Sequence, residues 1–434
     1  MGTAAFLKTL FDFLNKEANY AVLRNFEGLP EHNDSRDIDI IIEKNEYAKI
    51  KPAMLSLVSH SGWKVLTYLN SDRLITWVCA TLTGEGRAEL VQLDFFFHTS
   101  VFGVHLLEAR DFLAHRVFNG SVYHVDKDYE FLDKYMYDRA VGAAYPEKYR
   151  AVKEAALGSP NVAAVLQRVF GVADIDACDR TSGKKLLFHA FMKNPIRSLG
   201  RFVKFEYYRL CNYICSDTGF SIGFTGPDGS GKTTVIDLMI ENFGEVFRKA
   251  HAYYHFRPAL FGNLGEVAHS AGLKKEVDRN YSDPHRGGKT GALNSFARLL
   301  YYSVDYIVGY FVKVKSMTRI TRLVIFDRYY TDIICDSRRS RIYLNPKFLY
   351  GFGRVFIPSL DYNILLTASS ETILARKKEL DEAGIKAINE RIDYLENKKG
   401  YKKILNDSTP EAAVQQILSY IFENQHKRNL KRLK

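Results

Sequence analysis

The 434-residue sequence predicts an α/β protein. It calls for a C-terminal parallel sheet with helices on both faces, an N-terminal α+β part, and a mainly helical stretch between them. Three stretches carry that expectation. Residues 220–225 form a short, mostly apolar segment suited to a buried strand, and residues 234–240 beyond them suit a helix. Residues 323–326 are a second apolar run, and it ends on Asp327. Residues 37–42 read Asp-Ile-Asp-Ile-Ile-Ile, an alternation with the period of a strand.

Between the first of these strands and its helix lies Gly226-Pro227-Asp228-Gly229-Ser230-Gly231-Lys232-Thr233, which reads G-x-x-x-x-G-K-T. Strand, glycine loop and helix together make the phosphate-binding P-loop. Glycines let backbone N–H groups close around phosphate oxygens without a Cβ in the way. The helix that follows points its positive end at the anion. Gly226, Asp228, Gly229, Ser230, Gly231, Lys232, Thr233 and Thr234 are therefore the expected nucleotide-binding residues. Lys232 is placed to reach the β- and γ-phosphates, and the Thr233 hydroxyl to ligate Mg²⁺. Asp327 ends a Walker-B-like strand at the sheet edge where ligands gather. It is expected to ligate Mg²⁺ or orient an acceptor, with Arg328 gripping a phosphate. ATP and Mg²⁺ are the expected cofactors.

The rest of this half offers acceptor-side candidates. Residues 251–258 suit a strand leading into a loop that carries Arg257. That arginine could hold an acceptor phosphate bidentately, a plain surface arginine being the equal alternative. Residues 261–296 are rich in Gly, Lys, Asp and His, and 283–288 read as a mobile loop. A helix is expected over 295–315.

In the N-terminal half a helix is expected over 5–18 and a strand end over 20–25. Asp37 and Asp39 share one face of their strand, because side chains alternate. Residues 88–95 form another alternating strand that supplies Asp94. Three carboxylates on neighbouring strands can hold Mg²⁺ for phosphoryl or nucleotidyl transfer; solvated aspartates on a surface strand are the simpler alternative. Helices are expected over 106–118, 128–144, 149–157 and 161–170. Residues 197–213 mix aromatics with bases, and a packing helix is preferred to a nucleic-acid or membrane face.

Composition bounds the rest. Hydrophobic residues make up 46% and charged residues 26%, the balance of ordinary globular cores. The five cysteines show neither a disulfide framework nor metal-ligand spacing. No signal peptide and no apolar run of bilayer length is evident, so cytoplasmic residence is expected. The first hundred residues carry ten basic and thirteen acidic side chains, a balance of −3, so the remainder carries +14 and the whole chain +11. That balance suits polyanionic ligands such as nucleotides. The basic tail, with Lys427, Arg428, Lys431, Arg432 and Lys434, reads as a solvated, frayed helix end.

Two resemblances extend these readings. Asp327-Arg328-Tyr329 after its strand resembles thymidylate kinase, and the likeness spans roughly residues 219–405. Phe256-Arg257-Pro258 falls at that family's acceptor loop, without its Glu. The stretch 370–378 looks like the helix running into the family's lid. The resemblance then implies that Arg376 stabilises charge on the transferring phosphoryl, and that Asp228 occupies a position where bacterial members carry an acid. Arg338 and Arg341 belong to an arginine cluster foreign to the family and imply a more anionic acceptor. Residues 20–42 with Asp94 resemble the DNA-polymerase-β-like nucleotidyltransferases, and Asp37, Asp39 and Asp94 match that family's metal-binding acids. Arg24-Asn25 replaces its Gly-Ser turn. The implied organisation is a nucleotidyltransferase-like core over 1–100, a helical extension over 101–218 and a thymidylate kinase-like domain over 219–434. A small-molecule phosphate acceptor is the expected partner. A nucleic acid is not expected, and a homodimer is allowed. A nucleotide-switched binding protein and a nucleotidyltransferase acting on nucleic acid are the rival functions.

Overall fold

The computed structural model describes residues 1–35, 37–215, 218–243, 251–258, 260, 291–319, 323–377 and 381–433. The chain divides into two compact units. The first comprises Met1–Thr81, Glu89–Ser216 and Asn424–Lys434, and the second Leu82–Ala88 and Asp217–Glu423.

The first unit is built on a seven-stranded sheet. Its strands are β1 (Tyr20–Val22), β2 (Asp37–Ile42), β3 (Lys64–Asn70), β4 (Leu74–Gly84), β5 (Arg87–Phe96), β8 (Arg116–Phe118) and β9 (Tyr123–Val125), while β6 (His98–Val101) and β7 (Val104–Glu108) form a separate hairpin. The sheet order is β3-β4-β5-β2-β1-β9-β8. Helix Thr3–Glu17 buries Phe6, Leu7, Leu10, Phe11 and Leu14, the spacing of one helical face. Phe6 stacks on Trp63 at 4.3 Å within the same core. β2 and β5 pair in parallel with Asp39 opposite Asp94, so the acids of the two strands are brought side by side.

The helix expected over 106–118 is not formed. That stretch holds the end of β7, a five-residue helix Ala109–Leu113, and β8. The β6–β7 turn passes through Phe102 and Gly103 with φ of 49° and 78°, and Gly120 (φ 99°) lies in the turn before β9. Here the apolar residues are shared between the end of one strand, a five-residue helix and a second short strand, and their combined spacing mimics one helix. Because β9 pairs in parallel with β1, residues past 100 complete the first sheet instead of beginning a separate extension.

Up to Leu433 the basic tail is helical, not frayed. In the last turns of helix Pro410–Leu433, His426 Nδ1 meets the Val65 N–H at 3.0 Å. Asn429 Nδ2 donates to the carbonyls of Val65 and Leu66 at 3.1 and 2.7 Å. Both side chains are buried. The charges of the tail concealed these two polar anchors in the sequence.

The second unit holds a five-stranded parallel sheet, β10 (Phe220–Thr225), β11 (His251–His255), β12 (Leu323–Asp327), β13 (Tyr362–Thr367) and β14 (Tyr401–Leu405), in the order β11-β12-β10-β13-β14. All residues of β10, β12 and β13 are buried, as strands covered on both faces must be. The expected helix over 295–315 spans Ala292–Gly309 and continues as a π-helical turn over Tyr310–Lys315. The expected loop at 283–288 lies outside the described residues. No helix among the described residues is long and apolar enough to cross a membrane.

Candidate active site

In this sheet β10 is central, flanked by β12 and β13, and the loop leaving its carboxyl end is the glycine loop. Two positions there admit only glycine. A Cβ on Gly226 would lie 1.8 Å from the Leu366 carbonyl oxygen. Gly231 has φ 85°, and a Cβ on it would lie 2.5 Å from Asn406 Nδ2. Helix Lys232–Phe243 starts directly after the loop, with Thr233 and Thr234 exposed in its first turn. The Ser230 hydroxyl oxygen is buried within the loop without a hydrogen-bond partner.

Lys232 is folded into its own loop. Its ammonium donates to the carbonyls of Gly226 and Pro227 at 2.9 and 2.8 Å. Burial, followed by the positive charge of Arg328, lowers its pKa to about 7. Asp327 ends β12 at the foot of the loop, beside His255 of β11 and Phe224 of β10 in the strand register. Its Oδ2 accepts from the Tyr253 hydroxyl at 3.2 Å, while its buried Oδ1 has no hydrogen-bond partner. A buried carboxylate oxygen left in that state is a fit for a cation.

Arg328 was expected to grip a phosphate, and the structure places it otherwise. It adopts φ 73°, is buried, and donates to Asp332 at 2.7 Å and Asp228 at 2.5 Å. A second arginine, Arg339, also binds Asp228. The carboxylate Asp228 is thus clamped from two sides, which braces the loop from beneath. Burial works against the Arg328 charge, but the carboxylates of Asp332 and Asp228 outweigh it and hold its pKa above the ordinary value.

Arg257 likewise differs from both of its expected roles. It is buried, pairs with the fully buried Asp305 at 3.0 Å, and lies over the Tyr302 ring at 4.8 Å. A buried aspartate needs such a partner, and Arg257 meets that need instead of facing an acceptor. Arg338 is half-exposed and approaches Asp381 at 3.6 Å, and Arg341 ends helix Ser337–Ser340 with φ 54°. Arg376 is exposed at the end of helix Ser370–Arg376. Its Nη1 donates to the Asn406 carbonyl at 3.0 Å and lies 3.7 Å from where a Gly231 Cβ would be. Among the arginines proposed for chemistry, Arg376 is the one beside the mouth of the loop. Lys378, in the lid-like stretch, lies outside the described residues.

Three supports of this site escaped the sequence reading. Arg339 lies between Arg338 and Arg341 in the arginine cluster and carries no signal of its own. Asp332 lies four residues after Arg328, the spacing of a helical ion pair, and that signal was legible. Asn406 donates to the Ser230 carbonyl at 2.9 Å from the end of β14, and no motif marks it.

In the first unit Asp37, Asp39 and Asp94 each bring a carboxylate oxygen to within 4.8 Å of the others. The residue at the Gly-Ser position sits among them: Arg24 Nη2 lies 2.6 Å from Asp39, and Nη1 lies 3.1 Å from Asp133. Asp94 accepts from Thr76 at 2.5 Å and from Gln92 at 2.9 Å. Burial raises the Asp39 pKa to about 7 against the pull of Arg24, with Asp37, Asp94 and Asp133 adding to the rise.

No family model matches this chain. Among characterised proteins, the chain is similar to a cytidylate kinase of Thermotoga sp. (strain RQ2), 26% identical over 194 residues, which cover 40% of this chain and 76% of that enzyme. The cytidylate kinase of Thermotoga maritima is 25% identical over the same length. Among solved structures, the thymidylate kinase of Candida albicans aligns with 48% of this chain and 93% of its own, at 16% identity and a TM-score of 0.35. The sequence similarity to cytidylate kinases thus extends over 40% of the chain.

Proposed function

We propose that the chain is an ATP- and Mg²⁺-dependent phosphotransferase acting on a nucleotide or another small phosphorylated metabolite. The glycine cradle carries this reading, with Lys232 inside it and the unpartnered Asp327 oxygen at its foot. The similarity to nucleoside monophosphate kinases supports the same class.

The roles follow from position. Backbone N–H groups of the loop and the start of helix Lys232–Phe243 bind and orient the phosphates. Lys232 leaves its two loop carbonyls for phosphate oxygens when ATP arrives, and regains full charge beside that polyanion. Thr233 and Asp327 would hold Mg²⁺, which supplies charge neutralisation on the transferring group. Arg376 stands at the mouth, where it can stabilise charge that develops on that group. The Asp228 clamp by Arg328 and Arg339 fixes the loop so that these donors are preorganised.

The test is product analysis by mass spectrometry after incubation with ATP, Mg²⁺, a panel of nucleoside monophosphates and a metabolite extract. Acceptor-dependent ADP release with a phosphorylated product is the expected result. ATP binding without acceptor-dependent ADP release would instead point to a nucleotide-switched binding protein.

A further inference from the structure

Away from both sites, the first unit gathers a mixed histidine and carboxylate cluster. Asp72 lies in the turn between β3 and β4, His98 begins β6 and His105 lies in β7. The turn is pinned to this hairpin, since the Phe97 N–H donates to the Arg73 carbonyl at 2.9 Å. His98 Nε2 and His105 Nε2 approach the same oxygen, Asp72 Oδ2, at 3.8 and 3.9 Å. The two imidazoles stack at 3.6 Å, and both turn their Nε2 edge toward that oxygen. One ligand atom from each of the three residues lies within 4.8 Å of the others. Asp72 is 3% exposed and His98 5%.

Two further observations turn the cluster into a site. Asp72 Oδ2 and His105 Nε2 are both buried without a hydrogen-bond partner. Buried polar atoms in that state call for a ligand. Second, His105 Nδ1 meets Glu108 Oε1 at 3.1 Å, and Glu108 is held in turn by Arg201. A carboxylate on Nδ1 fixes the proton there and leaves the Nε2 lone pair directed at Asp72, the outer-shell arrangement of metal-bound histidines.

We infer that Asp72, His98 and His105 form a binding site for a borderline transition-metal dication of the Zn²⁺ type. The ligand atoms of a tetrahedral Zn²⁺ site stand about 3.4 Å apart, given bonds of about 2.1 Å. The two histidine–carboxylate separations, 3.8 and 3.9 Å, exceed that spacing by only a few tenths of an ångström. Two imidazoles with one carboxylate select Zn²⁺ or Co²⁺ over Mg²⁺, which prefers an all-oxygen set. Lys204, half-exposed on helix Pro195–Cys215, pairs with the other Asp72 oxygen at 2.7 Å. It leaves Oδ2 open to the metal, and its charge opposes the incoming dication.

The experiment uses the full chain, stripped with chelator and free of ATP, titrated calorimetrically with Zn²⁺ and separately with Co²⁺. Wild type should bind one Zn²⁺ at this site and give the visible absorption of tetrahedral, nitrogen-ligated Co²⁺. His105→Ala should lose that ion. The Asp37→Asn/Asp39→Asn double variant should keep it, which separates this site from the carboxylate cluster. Glu108→Gln should weaken binding about 10-fold or more through His105 orientation. Lys204→Met should tighten it about 10-fold, the reverse of a merely structural loss. If His105→Ala fails to fold, the Co²⁺ spectrum of wild type and the Lys204→Met affinity decide. Zn²⁺ binding that is absent from wild type, or equal in wild type, His105→Ala and Lys204→Met, overturns the site.

Discussion

The glycine loop of the second unit and the acid cluster of the first both set arginine against aspartate, but with opposite results. At the loop, Arg328 and Arg339 hold Asp228 from behind, and the unpartnered Asp327 oxygen at the foot of the cradle stays open to a ligand. In the acid cluster Arg24 lies among the carboxylates themselves, 2.6 Å from Asp39. One arrangement braces the proposed phosphate loop, while the other sets a guanidinium among the carboxylates themselves. The position of the guanidinium relative to the ligand space, not the presence of the pair, separates a supported site from a filled one.

The strongest break of this comparison is at Lys232. Lys232→Ala should lower acceptor-dependent ADP release by at least about 10²-fold, the scale of losing one preorganised charged donor. Its thermal unfolding should stay close to wild type, because the ammonium rests only on two loop carbonyls. Turnover near that of wild type would overturn the phosphotransferase reading of the second unit. Asp327→Asn and Arg376→Ala test the open side of the loop. Each should reduce kcat more than it changes KM for ATP, by about 10- to 10²-fold, because both act on charge that grows during transfer.

Arg328→Ala tests the bracing side. It strips the partner from Asp332 and half the clamp from Asp228, both of which are buried or nearly so. Removal of one partner from a buried pair costs about 3–5 kcal/mol, so this variant should unfold at clearly lower denaturant than Arg376→Ala. An Arg328→Ala chain as stable as wild type but unable to bind an acceptor would return this residue to the phosphate-gripping role first read for it.

Much of this contrast was legible before any coordinates. The loop motif, the strands that flank it and the acids at 37, 39 and 94 follow from local pattern, because each depends on residues within one element. The helix expected over 106–118 failed because elements of three to five residues are too short to show a period of their own. The role of Arg24 was hidden for another reason. Its partners Asp39 and Asp133 lie 15 and 109 residues away in sequence, and only the sheet brings them together. Arg257 reads as an acceptor-binding or a surface arginine until Asp305 is found beside it. Asn406 and Asn429 act through backbone carbonyls, which leave no signature in side-chain pattern.

Arg24→Ala addresses the filled site. Without metal, three carboxylates and Asp133 would share a buried space uncompensated, so the variant should melt well below wild type. Added Mn²⁺ should recover more stability in the variant than in wild type, by mass action on the folded state. An equal response of the two chains to Mn²⁺ would mean that Arg24 does not stand in the place of a cation.

The smallest effect is in the pH dependence of the full chain. Burial and the surrounding carboxylates raise the folded-state pKa of Asp39 to about 7, from an ordinary aspartate value near 4 when unfolded. A raised carboxyl favours the protonated folded form, so the unfolded chain binds fewer protons between those two values. Stability contributed by this group is therefore present below about pH 4 and lost as pH rises through about 7, unless a cation intervenes. Asp39→Asn carries no such proton, and its melting temperature should fall less than that of wild type between pH 5 and 8. Mn²⁺ should flatten the wild-type profile in the same direction, because a dication favours the ionised carboxylate. Arg24 works against the rise but does not cancel it, so the slope that remains measures how incompletely an arginine replaces a metal in this cluster. A wild-type profile that already coincides with that of Asp39→Asn would show that Arg24 alone keeps the cluster ionised.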